Sequence, residues 1–138
     1  MFQVVLDTNV LVAALRSRRG ASHRLISLLP DQRWQLNLSV PVLLEYEEAL
    51  KRQPLALSHE ELDAFLNALC LLANHHEVFF LWRPKLRDPD DDLILELAVT
   101  SGSHSIVTWN TRDFEGASEF GIEVLTPAGF LKRLGEQA

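Results

Sequence analysis

Apolar positions along this chain follow two periods. Short runs such as Val4 to Leu6 read as buried strands, and longer stretches with apolar residues three and four apart read as helices. The strand candidates are Gln3 to Leu6, Gln35 to Leu38, Val78 to Leu81, Ser105 to Val107 and Glu123 to Leu125. Helices are predicted at about Val10 to Leu15, Ser22 to Leu29, Val40 to Gln53, Ser58 to Asn74, Asp91 to Thr100 and Pro127 to Leu134. Strands alternating with helices are the pattern of βαβ units, so an α/β fold with a mainly parallel central sheet of about five strands is expected.

Several boundaries carry their own chemistry. Ser58 followed by Glu61 forms a capping-box pattern, Thr126 before Pro127 is an N-cap with proline at the first helical position, and Gly102 suits a helix stop. No repeat, low-complexity tract or linker interrupts the chain, so residues 1–138 are read as a single domain. At 47% hydrophobic residues it can bury a core without staples. The lone Cys70, in the apolar run "LNALCLLA", excludes an internal disulfide framework and is expected to be a buried thiol. With no run long enough to span a membrane and no signal-peptide pattern, a soluble cytoplasmic protein is expected. The net charge of −6 argues against a general polyanion binder, but not against an acidic metal site that faces a phosphate.

The acidic residues give the layout a focus. In "VVLDTNVLVAAL" a run built for burial breaks at Asp7, Thr8 and Asn9 and then resumes. The trio falls at a strand's carboxyl end, where open α/β sheets place their sites. Asp88, Asp90, Asp91 and Asp92 open a helix, and Asn110 and Asp113 follow the strand of "SIVT", so three acidic points meet at one sheet edge. A helix-opening Asp has an ordinary use as a cap or dipole partner, and Asp113 has one in a turn. Asp7 is harder to explain that way, because a carboxylate between a buried strand and a buried helix is costly unless paired. In "SVPVLLEYEEAL", Val42, Leu43, Tyr46, Ala49 and Leu50 share one helical face; Glu45 lies just beyond its edge, while Glu47 and Glu48 suit a solvated surface. Converging carboxylates repel unless compensated, and hard oxygen donors favour Mg²⁺ or Mn²⁺.

Taken together, "VVLDTNVLVAAL", "SVPVLLEYEEAL", "RDPDDDLILELA", "IVTWNTRDF" and "VLTPAGFL", in this order and at these separations, resemble a PIN-domain protein of the toxin type found in toxin-antitoxin pairs, a VapC-like ribonuclease. The resemblance covers nearly the whole chain and implies a three-layer α/β/α sandwich. It also implies a metal-dependent endoribonuclease that cuts single-stranded RNA and leaves 5'-phosphate and 3'-hydroxyl ends. Its acidic quartet carries over as Asp7, Glu45, Asp91 and Asp113, with Asp92 a neighbouring choice for the third position and so a further candidate metal ligand. Asp91 is preferred because it lies two helical turns before Ala98. Where many relatives read "VTGD", this chain reads "VTWN", which leaves Asn110 as an orienting or neutral ligand. Thr8 and Asn9 are expected to support Asp7. The resemblance further implies a homodimer held inactive by a small antitoxin protein. A PIN-fold binding module with weak or lost nuclease activity is the alternative.

Arg16, Arg18, Arg19 and Arg24, in "LRSRRGASHR", sit near the proposed active edge and are candidates for RNA phosphate contact, with solvated loop charge the ordinary account. His75 and His76 have no cysteine nearby and no ligand spacing, so a helix-end role is expected rather than zinc. Trp34, Trp82 and Trp109 are read as core or stacking residues, with Trp109 the candidate for base stacking. An aspartate-nucleophile phosphatase wants a second acid where this chain has Asn9, and a phosphoryl-accepting receiver domain wants a late lysine partner; neither pattern is present.

Overall fold

The computed structural model of the chain describes residues 1–78, 86 and 88–135. Five strands form one sheet in the order β3-β2-β1-β4-β5, all paired in parallel: β1 (Gln3–Leu6), β2 (Gln35–Leu38), β3 (Asn74–His75), β4 (Ser105–Val107) and β5 (Glu123–Leu125). Connecting them are α1 (Thr8–Arg16), α2 (Ala21–Ser27), α3 (Val40–Arg52), α4 (His59–Leu72), α5 (Pro89–Ser101) and α6 (Pro127–Arg133). The expected α/β/α sandwich is present. Its central strand is β1, whose Val4, Val5 and Leu6 are completely buried and pair with Ser105, Ile106 and Val107 of β4.

Strand order reverses at β1: the chain leaves it toward β2 and returns to β4 on its other side. Such a switch point opens a crevice outside the strands' carboxyl ends, where the loops on either side part in opposite directions. Beneath it, α5 packs on β1, β2 and β4, and Ile94, Leu95, Leu97 and Ala98 supply its buried face. The caps expected from sequence are made. Ser58 and Glu61 form the reciprocal capping box, Thr126 caps α6 through the Gly129 amide, and Gly102 ends α5 with φ +66°, a left-handed conformation that favours glycine.

The third strand departs from expectation. It lies at Asn74–His75, inside the segment expected to finish a helix, while Val78 is not in a strand and the rest of the expected 78–81 strand lies outside the described residues. Helix α4 stops at Leu72, Ala73 turns extended, and Asn74 and His75 pair with Asn37 and Leu38 of β2. This edge strand is held through its backbone with both side chains exposed, so no apolar period announces it. The two histidines accordingly follow α4 rather than close it. His75 still reaches the helix end, its Nε2 lying 2.7 Å from the Cys70 carbonyl, and His76 Nε2 lies 2.7 Å from Oδ1 of the buried Asn37. Cys70, expected to be buried, is only partly so and lines a shallow groove between α3 and α4 with Leu43, Leu44 and Asp63.

At the opposite end of the sheet the core closes around Trp34. It is 1% exposed, its ring meets Phe130 of α6 edge-on at 6.1 Å, and its Nε1 donates to the Leu25 carbonyl of α2 at 2.9 Å. One side chain thus joins α2, β2 and α6. Truncating it with Trp34→Ala is expected to cost about 3–5 kcal/mol, read as a lowered urea midpoint with an unchanged transition slope.

Candidate active site

Asp7 closes β1 and opens α1. Its backbone is extended, so it acts as the N-cap of α1, and its Oδ1 accepts the Thr8 amide at 2.8 Å. Its Oδ2 accepts the Thr108 hydroxyl at 2.7 Å. Thr108 follows β4, the strand beside β1, and is completely buried; its Oγ1 also accepts the Asn110 amide at 3.0 Å. The carboxylate is therefore clamped between the start of its own helix and the end of β4. Burial pushes its pKa upward, the hydrogen bonds from Thr108 and Thr8 pull it back, and the charges of Asp113 and Asp88 push it up again.

Glu45 reaches the same edge because α3 is pinned there. The hydroxyl of Tyr46, completely buried, donates to the Leu6 carbonyl at the end of β1 at 2.5 Å. Helix α3 is thereby tied to the strand that carries Asp7, and burial raises the tyrosine's pKa far beyond its ordinary value. Glu45, one position earlier, is raised mainly by burial and next by the charge of Asp90. Glu47 and Glu48 lie on the outer surface, as expected, paired with Lys51 at 3.4 Å and Arg52 at 3.2 Å.

The start of α5 supplies the third group of acids. Asp88 caps the helix by accepting the Asp90 amide at 2.9 Å, an ordinary cap role. Asp91 faces the crevice, and its carboxyl is pushed up to about 7, first by burial and then by the charges of Asp7, Asp88, Asp113 and Asp90. Asp92, considered as a metal ligand from sequence, points elsewhere: it is buried, accepts the Leu86 amide at 3.0 Å and does not line the crevice. One step along a helix turns a side chain by about 100°, enough to separate the two roles. Asp113 arrives from the 3₁₀ turn Thr111–Phe114 after β4.

These elements enclose a cleft of about 370 Å³ lined by Asp7, Glu45, Asp88, Asp90, Asp91 and Asp113, with Thr8, Asn9 and Asn110 on its wall. Arg16, Arg52 and Gln53 stand at its rim, Arg16 donating to Gln53 Oε1 at 2.6 Å. Arg18 and Arg19 do not line this cleft; they border a second pocket beside it in sequence. Among the described residues, no three acidic, histidine or cysteine side chains converge as a ready-made metal cage. The donor set instead suits a hard divalent cation such as Mg²⁺, which is held by one or two carboxylates and otherwise keeps water. Concentrated anionic oxygens with upward-shifted pKa values are the electrostatic strain that such a cation relieves.

Sequence reasoning passed over Thr108 and the role of Tyr46; Asp88 and Asp90, read there as part of the acidic run that opens α5, also line the cleft beside Asp91. Thr108 had one usable signal, a polar residue directly after a buried strand; Tyr46 had none, because an aromatic on the buried helix face reads as core. Asn9 also acts differently from expectation, its Oδ1 accepting the Trp109 amide at 3.2 Å, and Thr8 serves Asp7 through its backbone.

Thr108→Val keeps the shape but strips a donor from a buried carboxylate, so thermal melts of the metal-free protein are expected to show a loss of about 1–3 kcal/mol. The folded chain holds the Asp91 proton up to a pH of about 7 against 3.8 for an ordinary aspartate. Metal-free stability is therefore eroded as pH rises from about 4 to about 7, because ionisation is disfavoured only in the folded state. Asp91→Asn removes that penalty: in EDTA its melting point is expected to gain on the wild type across this window and to hold the gain above it.

Residues 3–112 of the chain match the PIN-domain family. In structure it is similar to a chain in the crystal structure of VapBC2 from Rickettsia felis bound to a DNA fragment from their promoter, with 16% identity and a TM-score of 0.60 over 89% of this chain and 98% of that one, a likeness of fold. No curated protein matches in sequence. A family match over most of the chain, on a five-stranded parallel sheet with acids gathered at its switch point, settles the classification: this chain belongs to the PIN-domain family.

Proposed function

We propose that this protein is a divalent-metal-dependent endoribonuclease that hydrolyses phosphodiester bonds of single-stranded RNA, acting as the toxin of a toxin-antitoxin pair. The observation that carries the reading is the gathering of Asp7, Glu45, Asp91 and Asp113 on one cleft from four separate segments of the chain. Family membership supports nuclease chemistry. That the Rickettsia relative was crystallised as VapBC2 on promoter DNA supports a partner protein.

In this reading Asp7, Asp91 and Asp113 hold Mg²⁺ or Mn²⁺ directly or through water, and Asn110 orients them as a neutral donor. When bound, the cation supplies Lewis-acid stabilisation of charge on the phosphoryl oxygens. Thr108 and the Thr8 amide fix the Asp7 carboxylate before substrate arrives, so little reorganisation is left for the reaction itself. Glu45, its carboxyl made more basic by burial, orients the attacking water and accepts its proton. Arg16, at the rim, is placed to meet a phosphate of the incoming strand. The same reading makes the protein a cytoplasmic homodimer, restrained by a small antitoxin whose segment enters the acidic cleft with a basic side chain. Among the described residues, no helix is long and apolar enough to cross a membrane.

Calorimetric titration with Mn²⁺ and cleavage of a labelled single-stranded RNA test the assignment on the same samples. Wild type is expected to bind and cleave, EDTA to stop cleavage, and Asp7→Asn and Asp91→Asn to lose metal binding and at least 100-fold in rate, roughly 2.7 kcal/mol of barrier. Metal binding without cleavage in the wild type would leave a binding module; full activity in Asp7→Asn would remove the assignment.

A further inference from the structure

Trp109 is 44% exposed, yet it is held at two points. Its backbone amide donates to Asn9 Oδ1 at 3.2 Å, and its indole Nε1 donates to Oγ of the buried Ser22 at 2.9 Å. On one side, therefore, it is joined to Asn9 and Asn110, which line the acidic cleft. On the other it is joined to Ser22, whose neighbours Ala21 and His23 line the second pocket, a hollow of about 380 Å³ that also carries Arg18 and Arg19. A half-exposed indole with its polar edge satisfied and its rotamer restrained has already lost the freedom that ligand binding would otherwise take from it.

The charge around this hollow differs from the rest of the molecule. Although the chain carries a net charge of −6, no acidic residue occurs between Asp7 and Asp31, a stretch that contains Arg16, Arg18, Arg19 and Arg24. Among the described residues the guanidinium groups of Arg18 and Arg19 make no ion pair. An aromatic face linked through one serine to a pocket that carries arginines has the two elements that bind single-stranded nucleic acid, because a base stacks on the ring while the backbone phosphates meet the cations.

We infer that Trp109 and the Arg18–Arg19 pocket form a binding track for single-stranded RNA, in which a base next to the scissile phosphate stacks on the Trp109 indole and the following phosphates contact the two arginines. The track rests on the reading of the acidic cleft as a nuclease site and adds to it the means by which an acidic protein holds a polyanion. Trp109 is a positioning residue here: it sets where along the strand the cleft falls. A duplex, whose bases are already stacked on one another, offers it no free face.

The track can be tested without cleavage, in EDTA, using a short single-stranded oligoribonucleotide and the same sequence as a duplex. Single strands are expected to quench tryptophan emission in the wild type and not in Trp109→Phe, since Trp34 and Trp82 remain in both proteins. Trp109→Ala is expected to weaken single-strand binding about 5- to 100-fold, and Trp109→Phe, which keeps a stacking face, far less. Arg18→Ala with Arg19→Ala is expected to reduce the slope of log affinity against log salt by about 1.4, at about 0.7 per phosphate contact on a single strand. Ser22→Ala removes only the indole's anchor, and a several-fold loss there would show that its orientation matters. Far-UV circular dichroism and melting points serve as the check on folding for every variant. Wild-type affinity in Trp109→Ala, or equal quenching by duplex, would overturn the track. Quenching by RNA that wild type then fails to cleave with Mn²⁺ would keep the track and remove the nuclease reading; cleavage alongside wild-type affinity in Trp109→Ala would do the reverse.

Discussion

The hydrogen bond from Thr108 to Asp7 joins the two parallel strands between which the sheet changes direction. Without it, one oxygen of a nearly buried carboxylate would lack its protein donor at the floor of the cleft. With it, the ends of β1 and β4 are locked in register, a link reinforced by the Asp7 amide on the Val107 carbonyl at 2.9 Å. The side chain that holds the strand ends together is the same one around which the acidic cleft is arranged. Structural and chemical demands on Asp7 therefore coincide.

The rest of the cleft works against the fold's stability. Asp91, Glu45 and Asp7 are all pushed upward first by burial and then by neighbouring carboxylates, Asp7 acting on Asp91, Asp90 on Glu45, and Asp113 on Asp7. Such strain persists only because the supporting structure is over-determined. Tyr46 ties α3 to the end of β1, α5 packs across three strands, and Asp88 caps the helix that presents Asp91. Apolar burial below the crevice holds mutually repelling groups above it, an arrangement in which stability is given up locally for a cation-binding surface.

The electrostatic character of the surface is uneven for a related reason. A cleft that concentrates negative charge would repel an RNA strand before any cation arrived, and the arginines between Asp7 and Asp31 stand immediately next to it in sequence. Trp109 lies at that boundary, directly after the threonine that clamps Asp7 and directly before the asparagine on the cleft wall. The segment from Thr108 to Asn110 thus serves the strand register, the exposed aromatic surface and the cleft in three consecutive residues.

Much of this was legible in the residues themselves, for reasons that are local. Buried strands read as apolar runs, helix starts announce themselves through Ser58 with Glu61 or Thr126 with Pro127, and a polar interruption such as Asp7-Thr8-Asn9 stands out because burying it is expensive. What depends on contacts far apart in sequence was not legible. The β3 edge pairs with β2 through backbone and leaves its own side chains exposed, Tyr46 is indistinguishable from a core aromatic until its hydroxyl meets Leu6, and Asp91 and Asp92 differ only by about 100° around a helix whose rotation is decided by packing against the sheet. By itself, then, the sequence determined the α/β class, the caps and the set of acids at one sheet edge, because each follows from periodicity or from the cost of a group in its own segment. Only the tertiary structure decided which carboxylates share a cleft and which hydroxyl restrains Asp7, since burial and hydrogen bonding between residues 101 positions apart exist only once the strands are side by side.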